Sequence, residues 1–285
     1  KLLEYDLARA ISQVIRTEKP VVGVMSPLQV FGMQMPPQMM MRMGQQGQDP
    51  WIFINELKRD FTVEQVNMDV DKIDEHIKVL IVVHPKDITD KAQYAIDQFV
   101  LRGGKALVFV DPDSEAEAIR QQQSGMPTDT SSNLDKLFQA WGIDYSPDTV
   151  VGDPQSARQV SYPSRGREQI VDYLPWLSLD RTHLAPDDVT TAELNRINVG
   201  TAGALAAHEG AGTTFVPLMR SSLDAMAIDA EKVRMFPDPL ALLRDYKPGG
   251  KELVMAARIS GPVKSAFGDT APEGVTGAGP HLKES

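Results

Sequence analysis

The stretch VLIVVHPKDITDKAQYAIDQFVLRGGKALVFVDP, residues 79–112, decides the fold. It opens with the apolar run Val79–Val83 and ends with a second run, Ala106–Val110. Between them, Thr89 can cap a helix with one apolar face, and the glycine pair at 103–104 can end it. Continuous apolar runs of this length are typical of parallel strands that are buried on both faces. The stretch therefore predicts a strand–helix–strand unit of a parallel sheet.

The flanking sequence extends this unit in both directions. Val21–Met25 and the β-rich segment Thr62–Met68 predict two earlier strands, and Thr149–Val151 predicts a fifth strand. Asp49 and Pro50 are typical of an N-cap and a first helical residue, which predicts a helix over 51–60. Ser132 is expected to cap a later helix that Gly142 ends. The alternation predicts an α/β fold with an open, mostly parallel sheet and helices on both faces.

The second half of the chain has weaker patterns. We expect residues 1–155 to form the α/β core and residues 156–267 to form a smaller, irregular α+β portion packed on it or completing it. Residues 268–285 are rich in Gly and Pro, which predicts a flexible tail. The expected strands of the second portion are Gln159–Tyr162, Phe215–Arg220 and Glu252–Ile259, and the expected helix is Asp188–Ile197.

Composition narrows the possible functions. The 285 residues include 29 Lys and Arg against 39 Asp and Glu, a formal charge of −10 that argues against nucleic-acid binding. The chain has no cysteine, which excludes disulfides, thiolate zinc sites and cysteine nucleophiles. It contains neither a phosphate-binding glycine loop nor a dinucleotide fingerprint, so we expect no cofactor and no metal. No apolar run approaches the roughly 18 residues of a membrane span, so we expect any membrane anchor outside the segment.

Three polar residues follow the predicted strands: Ser26, His84 and Asp111. Ligands of open parallel sheets bind beyond the carboxyl ends of the strands, and in a flavodoxin-like strand order these three strands are neighbours. Ser, His and Asp on one rim could form a hydrolase triad. However, each residue precedes a proline, which is typical of turns that close a strand, and Ser26 lacks the G-x-S-x-G turn of a nucleophile elbow. The sequence predicts a ligand-binding rim and no catalytic residues.

A methionine-rich segment follows the first strand. It has no helical or strand periodicity, which predicts a long loop. Thioether clusters can bind Cu(I), but methionines more often form an adaptable apolar surface. We therefore expect a surface for a partner, formed by Met33, Met35, Met39, Met40, Met41 and Met43.

Several segments together resemble one family, the GldG-like, gliding-motility-associated auxiliary proteins of ABC transporters. The resemblance covers nearly the whole chain in order. It rests on residues 79–112 and on five further segments: Lys19–Leu28 (KPVVGVMSPL), Pro50-Trp51, Tyr173–Leu179 (YLPWLSL), Phe215–Ser222 (FVPLMRSS) and Ile259–Phe267 (ISGPVKSAF).

The resemblance implies a periplasmic domain that is anchored in the inner membrane by helices outside this segment and works with a permease and an ATPase. It also implies a fold related to flavodoxin-like and class I glutaminase-like sheets. Those glutaminase relatives use a cysteine nucleophile, which this chain lacks. The predicted function is therefore non-enzymatic: the domain binds a partner or substrate and couples it to the transporter. A glycan-binding module and a hydrolase that uses the strand-end rim remain alternatives.

Overall fold

The computed structural model describes Leu7, Ile11 and residues 18–33, 47–124, 129–164, 166–234, 237–276 and 280–285. The chain divides into two compact units. The first comprises residues 1–109 and 271–281, and the second comprises residues 110–270 and 282–285. The division therefore follows Phe109, whereas the sequence places a boundary near residue 155. The reason is that, within the described ranges, the strands after Phe109 pair only with one another.

A four-stranded parallel sheet forms the centre of the first unit, in the order β2 (Thr62–Val66), β1 (Val21–Met25), β3 (Ile77–Val83) and β4 (Lys105–Phe109). The predicted α/β character and parallel sheet are confirmed, and β1, β3 and β4 are neighbours as expected. The elements of this unit are β1 (Val21–Met25), α1 (Ile52–Asp60), β2 (Thr62–Val66), β3 (Ile77–Val83), α2 (Asp90–Leu101) and β4 (Lys105–Phe109).

The central strands and α2 form as the sequence predicts. Leu80 and Ile81 of β3 point to opposite faces of the sheet and are both buried, as expected for a strand covered on both faces. The Thr89 hydroxyl accepts a hydrogen bond from the Ala92 N–H at 3.2 Å, which satisfies one donor of the first turn of α2. A Cβ on Gly104 would lie 2.5 Å from the Phe99 ring, so only glycine allows the chain to turn this closely into β4.

Two helix starts differ from the prediction. Helix α1 begins at Ile52 with Trp51 as its N-cap, because the Trp51 N–H donates to the Val30 carbonyl at 2.9 Å. Ser132 does not cap the helix that follows it, because its hydroxyl accepts the Asp111 N–H at 3.0 Å. That helix starts later, at Asp135.

The second unit consists of antiparallel sheets with short helices. Its elements are α3 (Glu115–Ser124), α4 (Asp135–Trp141), β5 (Ile143–Tyr145), β6 (Thr149–Gly152), β7 (Ala157–Ser164), β8 (Arg167–Asp180), a 3-10 turn (Arg181–His183), β9 (Arg196–Gly200), β10 (Leu205–Ala207), β11 (Thr214–Arg220), β12 (Met226–Asp229), α5 (Glu231–Arg234), α6 (Pro239–Asp245) and β13 (Val254–Ser260). Among the described residues the strand orders are β11-β13-β10-β5, β12-β6 and β7-β8-β9.

Two predictions for this half are wrong. The expected fifth parallel strand is β6, which pairs antiparallel with β12 and does not extend the parallel sheet. The expected helix over residues 188–197 is a series of turns that leads into β9. Its first residue, Asp188, accepts hydrogen bonds from the Thr190 N–H and hydroxyl and pairs with Arg258, so its carboxylate holds a turn.

The C-terminal residues, expected as a flexible tail, make specific contacts within each unit. In the first unit, the Thr276 hydroxyl donates to Asp71 at 3.1 Å, and the Tyr94 hydroxyl lies 3.0 Å from His281 Nδ1. In the second unit, Glu284 forms an antiparallel bridge with Lys264.

Candidate functional site

Two of the three predicted rim residues lie in the first unit. The Ser26 hydroxyl accepts a hydrogen bond from the Leu28 N–H at 3.1 Å, as expected for a serine that closes a strand in a turn. His84 follows β3 with a positive φ of 51°, and its side chain is buried. Its backbone N–H donates to the Phe109 carbonyl at 2.8 Å, which extends the ladder between β3 and β4.

The third rim residue, Asp111, belongs to the second unit. Its Oδ1 accepts the Asp113 N–H at 2.9 Å, so this carboxylate also forms a turn. Burial raises the pKa of Asp111 to about 7, and the nearby carboxylates of Asp113 and Glu115 add to the rise, against the hydrogen bond from the Asp113 backbone. Asp111 can therefore gain or lose a proton near neutral pH.

The loop that starts at Asp111 is fixed by buried polar contacts. The Thr130 hydroxyl donates to the Asp113 carboxylate at 2.7 Å, and the Thr201 hydroxyl donates to the Asp113 carbonyl at 2.9 Å. Arg234 donates to the Pro112 carbonyl at 3.0 Å. These bonds hold the loop against the residue that follows β9 and against α5.

Two aromatic side chains of β8 lie beside this loop. The rings of Tyr173 and Trp176 meet edge to face with centroids 5.4 Å apart, and Trp176 is 36% exposed. A Cβ on Gly200 would lie 3.4 Å from Glu115 Oε1 and 3.5 Å from Trp176 Cδ1, so the carboxylate and the indole flank the same glycine. Burial, with Asp113 and Glu115 nearby, raises the pKa of Tyr173 to about 12.

We call this group of residues the acidic–aromatic patch; its members are Asp111, Asp113, Glu115, Tyr173 and Trp176. Glu115 and Trp176 reach the surface, whereas Asp113 and Tyr173 are buried beneath it. Carboxylates accept hydrogen bonds from hydroxyl and amine groups, and an exposed indole offers an apolar face and one N–H donor. The sequence rule for strand ends predicts Asp111 alone. The other four members, Asp113, Glu115, Tyr173 and Trp176, were missed as site residues, although Tyr173 and Trp176 lie in a segment that carries the family resemblance.

A second polar arrangement in the same unit has the order of contacts of a serine hydrolase. The Ser156 hydroxyl lies 3.3 Å from His183 Nε2, and His183 Nδ1 lies 3.0 Å from Asp180 Oδ1. Hydrogen bonds from Thr182 and His183 lower the pKa of Asp180 to about 2, so its carboxylate is ionised at neutral pH. However, Ser156 is only 5% exposed, which leaves little room for a substrate carbonyl to approach its hydroxyl.

The chain matches the model of one protein family, described as ABC-type uncharacterized transport system auxiliary proteins, over residues 19–284. The chain belongs to this family. The match covers both compact units, including the acidic–aromatic patch and the three rim residues.

One curated relative of this family member is an uncharacterized protein of Borreliella burgdorferi. The two are 22% identical over 275 residues, which is 94% of this chain and 50% of the relative. The chain thus spans about half the length of the curated relative it matches. No solved structure matches the chain.

The remaining predicted site of this ABC transport auxiliary chain is the methionine-rich segment. Met33 is partly exposed and forms an antiparallel bridge with Gln48. Met35, Met39, Met40, Met41 and Met43 lie outside the described residues, so the partner surface stays a prediction. Within the described ranges, no three His, Asp or Glu side chains are placed to hold a metal ion, and no helix has the length and hydropathy to cross a membrane.

Proposed function

We propose that the chain is the non-enzymatic, periplasmic domain of a membrane-anchored ABC transporter auxiliary subunit, which binds a partner or substrate and couples it to a permease and an ATPase. The observation that carries this proposal is the family match over residues 19–284. The strand order β2-β1-β3-β4 supports a flavodoxin-like, class I glutaminase-like core, and the resemblance to gliding-motility-associated proteins supports the periplasmic side.

The acidic–aromatic patch is the surface that we propose for the ligand. The exposed Glu115 carboxylate sits beside the partly exposed Trp176 indole, a combination suited to a ligand rich in hydroxyl groups, such as a glycan. Ser26 and His84 remain proposed ligand contacts of the strand-end rim. Binding alone is enough for coupling, because a domain that prefers one conformation of a transporter shifts the equilibrium towards that conformation.

Isolation of the full-length protein from its host membrane tests this function. In mild detergent it should co-purify with a permease and an ATPase, and protease added to intact spheroplasts should digest this domain while a cytoplasmic control survives. Trp176→Ala should preserve the assembly but reduce transport at least tenfold, whereas Val189→Ala, at an exposed residue that is not a member of the patch, should leave transport unchanged. Absence of both transporter subunits, with the domain protected from protease, would contradict the proposal.

A hydrolase is the second candidate, favoured by the contacts of Ser156, His183 and Asp180. In this reading Ser156 attacks an ester or amide carbonyl, its proton passes to His183 and then to the leaving group, and water releases the acyl group. A fluorophosphonate probe tests this, because it labels only activated serines. Labelling that is lost in both Ser156→Ala and His183→Ala, and kept in Ser26→Ala, would favour the hydrolase over the binding domain.

A further inference from the structure

Among the described residues, no strand lies beside one of the two edges of β4. In the part of the chain that the structure describes, β4 pairs with β3 alone. The sequence predicted a buried strand here, yet Leu107 and Phe109 are 49% and 52% exposed. An exposed apolar edge is a ready template for pairing with another chain, and proteins normally cover it or place charges along it. We therefore expect a partner strand to pair with this edge.

One hydrogen bond shows which backbone groups of β4 face the open edge. The Phe109 carbonyl accepts the His84 N–H, so Phe109 directs its backbone groups towards β3. Because direction alternates along a strand, Lys105 and Leu107 also face β3. Ala106 and Val108 therefore present their N–H and C=O groups at the open edge.

We propose that β4 pairs antiparallel with β4 of a second copy of this chain, about a two-fold axis through Leu107. In this register Ala106 lies opposite Val108 of the second copy, and the two residues exchange both of their backbone hydrogen bonds. The axis repeats this pair, so all four outward-facing groups of each Ala106–Val108 segment are satisfied. Two four-stranded sheets become one continuous sheet.

The side chains fit the same register. Leu107 lies opposite Leu107 of the second copy, which buries two exposed apolar groups together. Lys105 lies opposite Phe109 of the second copy, where an ammonium group can contact an aromatic face. The strand carries no acidic residue, so the excess negative charge of the chain does not oppose itself across the axis. These features favour a second copy as the occupant, independently of the proposed transport function.

Cysteine cross-linking of the 285-residue chain tests the register, because the chain has no cysteine of its own. Residues on the two-fold axis lie about 4.5 Å apart between Cα atoms, within disulfide range. Two Ala106 residues would lie about 8 Å apart, beyond that range. Under mild oxidation, Leu107→Cys should form a covalent dimer at least tenfold faster than the neighbouring control Ala106→Cys. Equal rates would overturn the proposal.

The oligomeric state tests the pairing itself. At 100 µM the chain should show twice its 31.3 kDa mass by light scattering. Val108→Pro removes an N–H that faces the open edge and that β3 does not use, so this variant should fold, with an unchanged circular dichroism spectrum, yet be monomeric. Ile52→Lys, a change at an exposed site of α1, should remain dimeric. A monomeric parent chain, or a folded Val108→Pro variant that still dimerises, would overturn the proposal.

Discussion

Asp153 binds Ser222 through both of its carboxylate oxygens. The Ser222 hydroxyl donates to Oδ1 and the Ser222 N–H donates to Oδ2, each at 2.7 Å, and the Gln155 N–H adds a third bond at 3.0 Å. The Asp153 side chain is fully buried and lies directly after β6, whereas Ser222 lies shortly after β11. One carboxylate thus joins two different sheets of the second unit.

Asp153→Ala should lower the free energy of unfolding by about 3 kcal/mol, because it removes three hydrogen bonds to a fully buried carboxylate. Ser222→Ala removes the hydroxyl's bond to Asp153 and its bond from the Asp224 N–H, but keeps the bond from the Ser222 N–H, and should cost about 1–2 kcal/mol. Urea denaturation followed by tryptophan fluorescence measures both. Asp187→Ala, at an exposed position, is the control and should change the free energy little. Equal stability of the Asp153 and Asp187 variants would contradict this structural role.

Thr89 provides a test in the first unit. Its hydroxyl caps α2, so Thr89→Ala should destabilise the fold by about 1 kcal/mol, whereas Thr89→Ser keeps the acceptor and should cost only a few tenths. Urea midpoints of the two variants give this difference directly. If serine and alanine destabilise equally, the loss arises from the missing methyl group and not from the cap.

The parts of the fold that the sequence predicts are those fixed by local patterns. The apolar run of β3 and the helix cap at Thr89 depend only on neighbouring residues, so both can be predicted from the sequence. The exposure of β4 cannot be predicted in this way, because the sequence of β4 is as apolar as that of β3. The two strands differ only in that the expected fifth strand does not pair with β4. That strand is β6, which pairs instead with β12, far along the chain.

The candidate site likewise contains one residue that the sequence predicts and others that it does not. Asp111 is predictable, because the strand-end rule needs only the apolar run before it. Glu115 and Trp176 come together through the pairing of β8 with β9, which places Gly200 beside Trp176. Ser156 and His183 are likewise distant in sequence and meet only once β7, β8 and the turn after β8 are in place. The spacing of residues within a short segment of sequence does not predict contacts of this kind.

The entry and exit of the methionine-rich segment suggest how to remove it. Met33 and Gln48 exchange two backbone hydrogen bonds, at 2.8 and 3.1 Å, which is the pattern that flanks a two-residue hairpin turn. Replacing residues 34–47 with Asn-Gly should therefore leave the parallel sheet folded, with a thermal midpoint within a few degrees of the parent.

A 14-residue Gly-Ser replacement of the same segment is the control for loop length. Calorimetry of both variants separates a partner surface from a core. A fall of more than ten degrees in both would show that the methionines stabilise the fold. Tight, stoichiometric Cu(I) binding by the parent that both variants lack would support the copper interpretation instead.

Asp111 should make stability depend on pH. Its pKa of about 7 in the folded chain lies above the roughly 3.9 of an unfolded aspartate, so the folded state holds the proton more tightly. Ionisation of Asp111 therefore destabilises the folded state. This destabilisation is absent below pH 4, grows as the pH rises towards 7, and is constant above pH 7. Asp111→Asn keeps an acceptor for the Asp113 N–H but carries no charge, so it should be more stable than the parent at pH 8, by about 2–4 kcal/mol.

Urea denaturation at pH 4, 5.5, 7 and 8 measures the difference in the free energy of unfolding between Asp111→Asn and the parent. This difference should be near zero at pH 4 and rise through pH 5.5 to a plateau. Asp180→Asn is the matched control, because the pKa of Asp180 is lowered to about 2. The stability that Asp180 adds is lost only as the pH falls from about 4 to about 2, so its difference from the parent should be flat from pH 4 to 8. Since both variants exchange a carboxylate for an amide, a flat difference for Asp111→Asn as well would show that Asp111 is already ionised at acidic pH and does not respond to neutral pH.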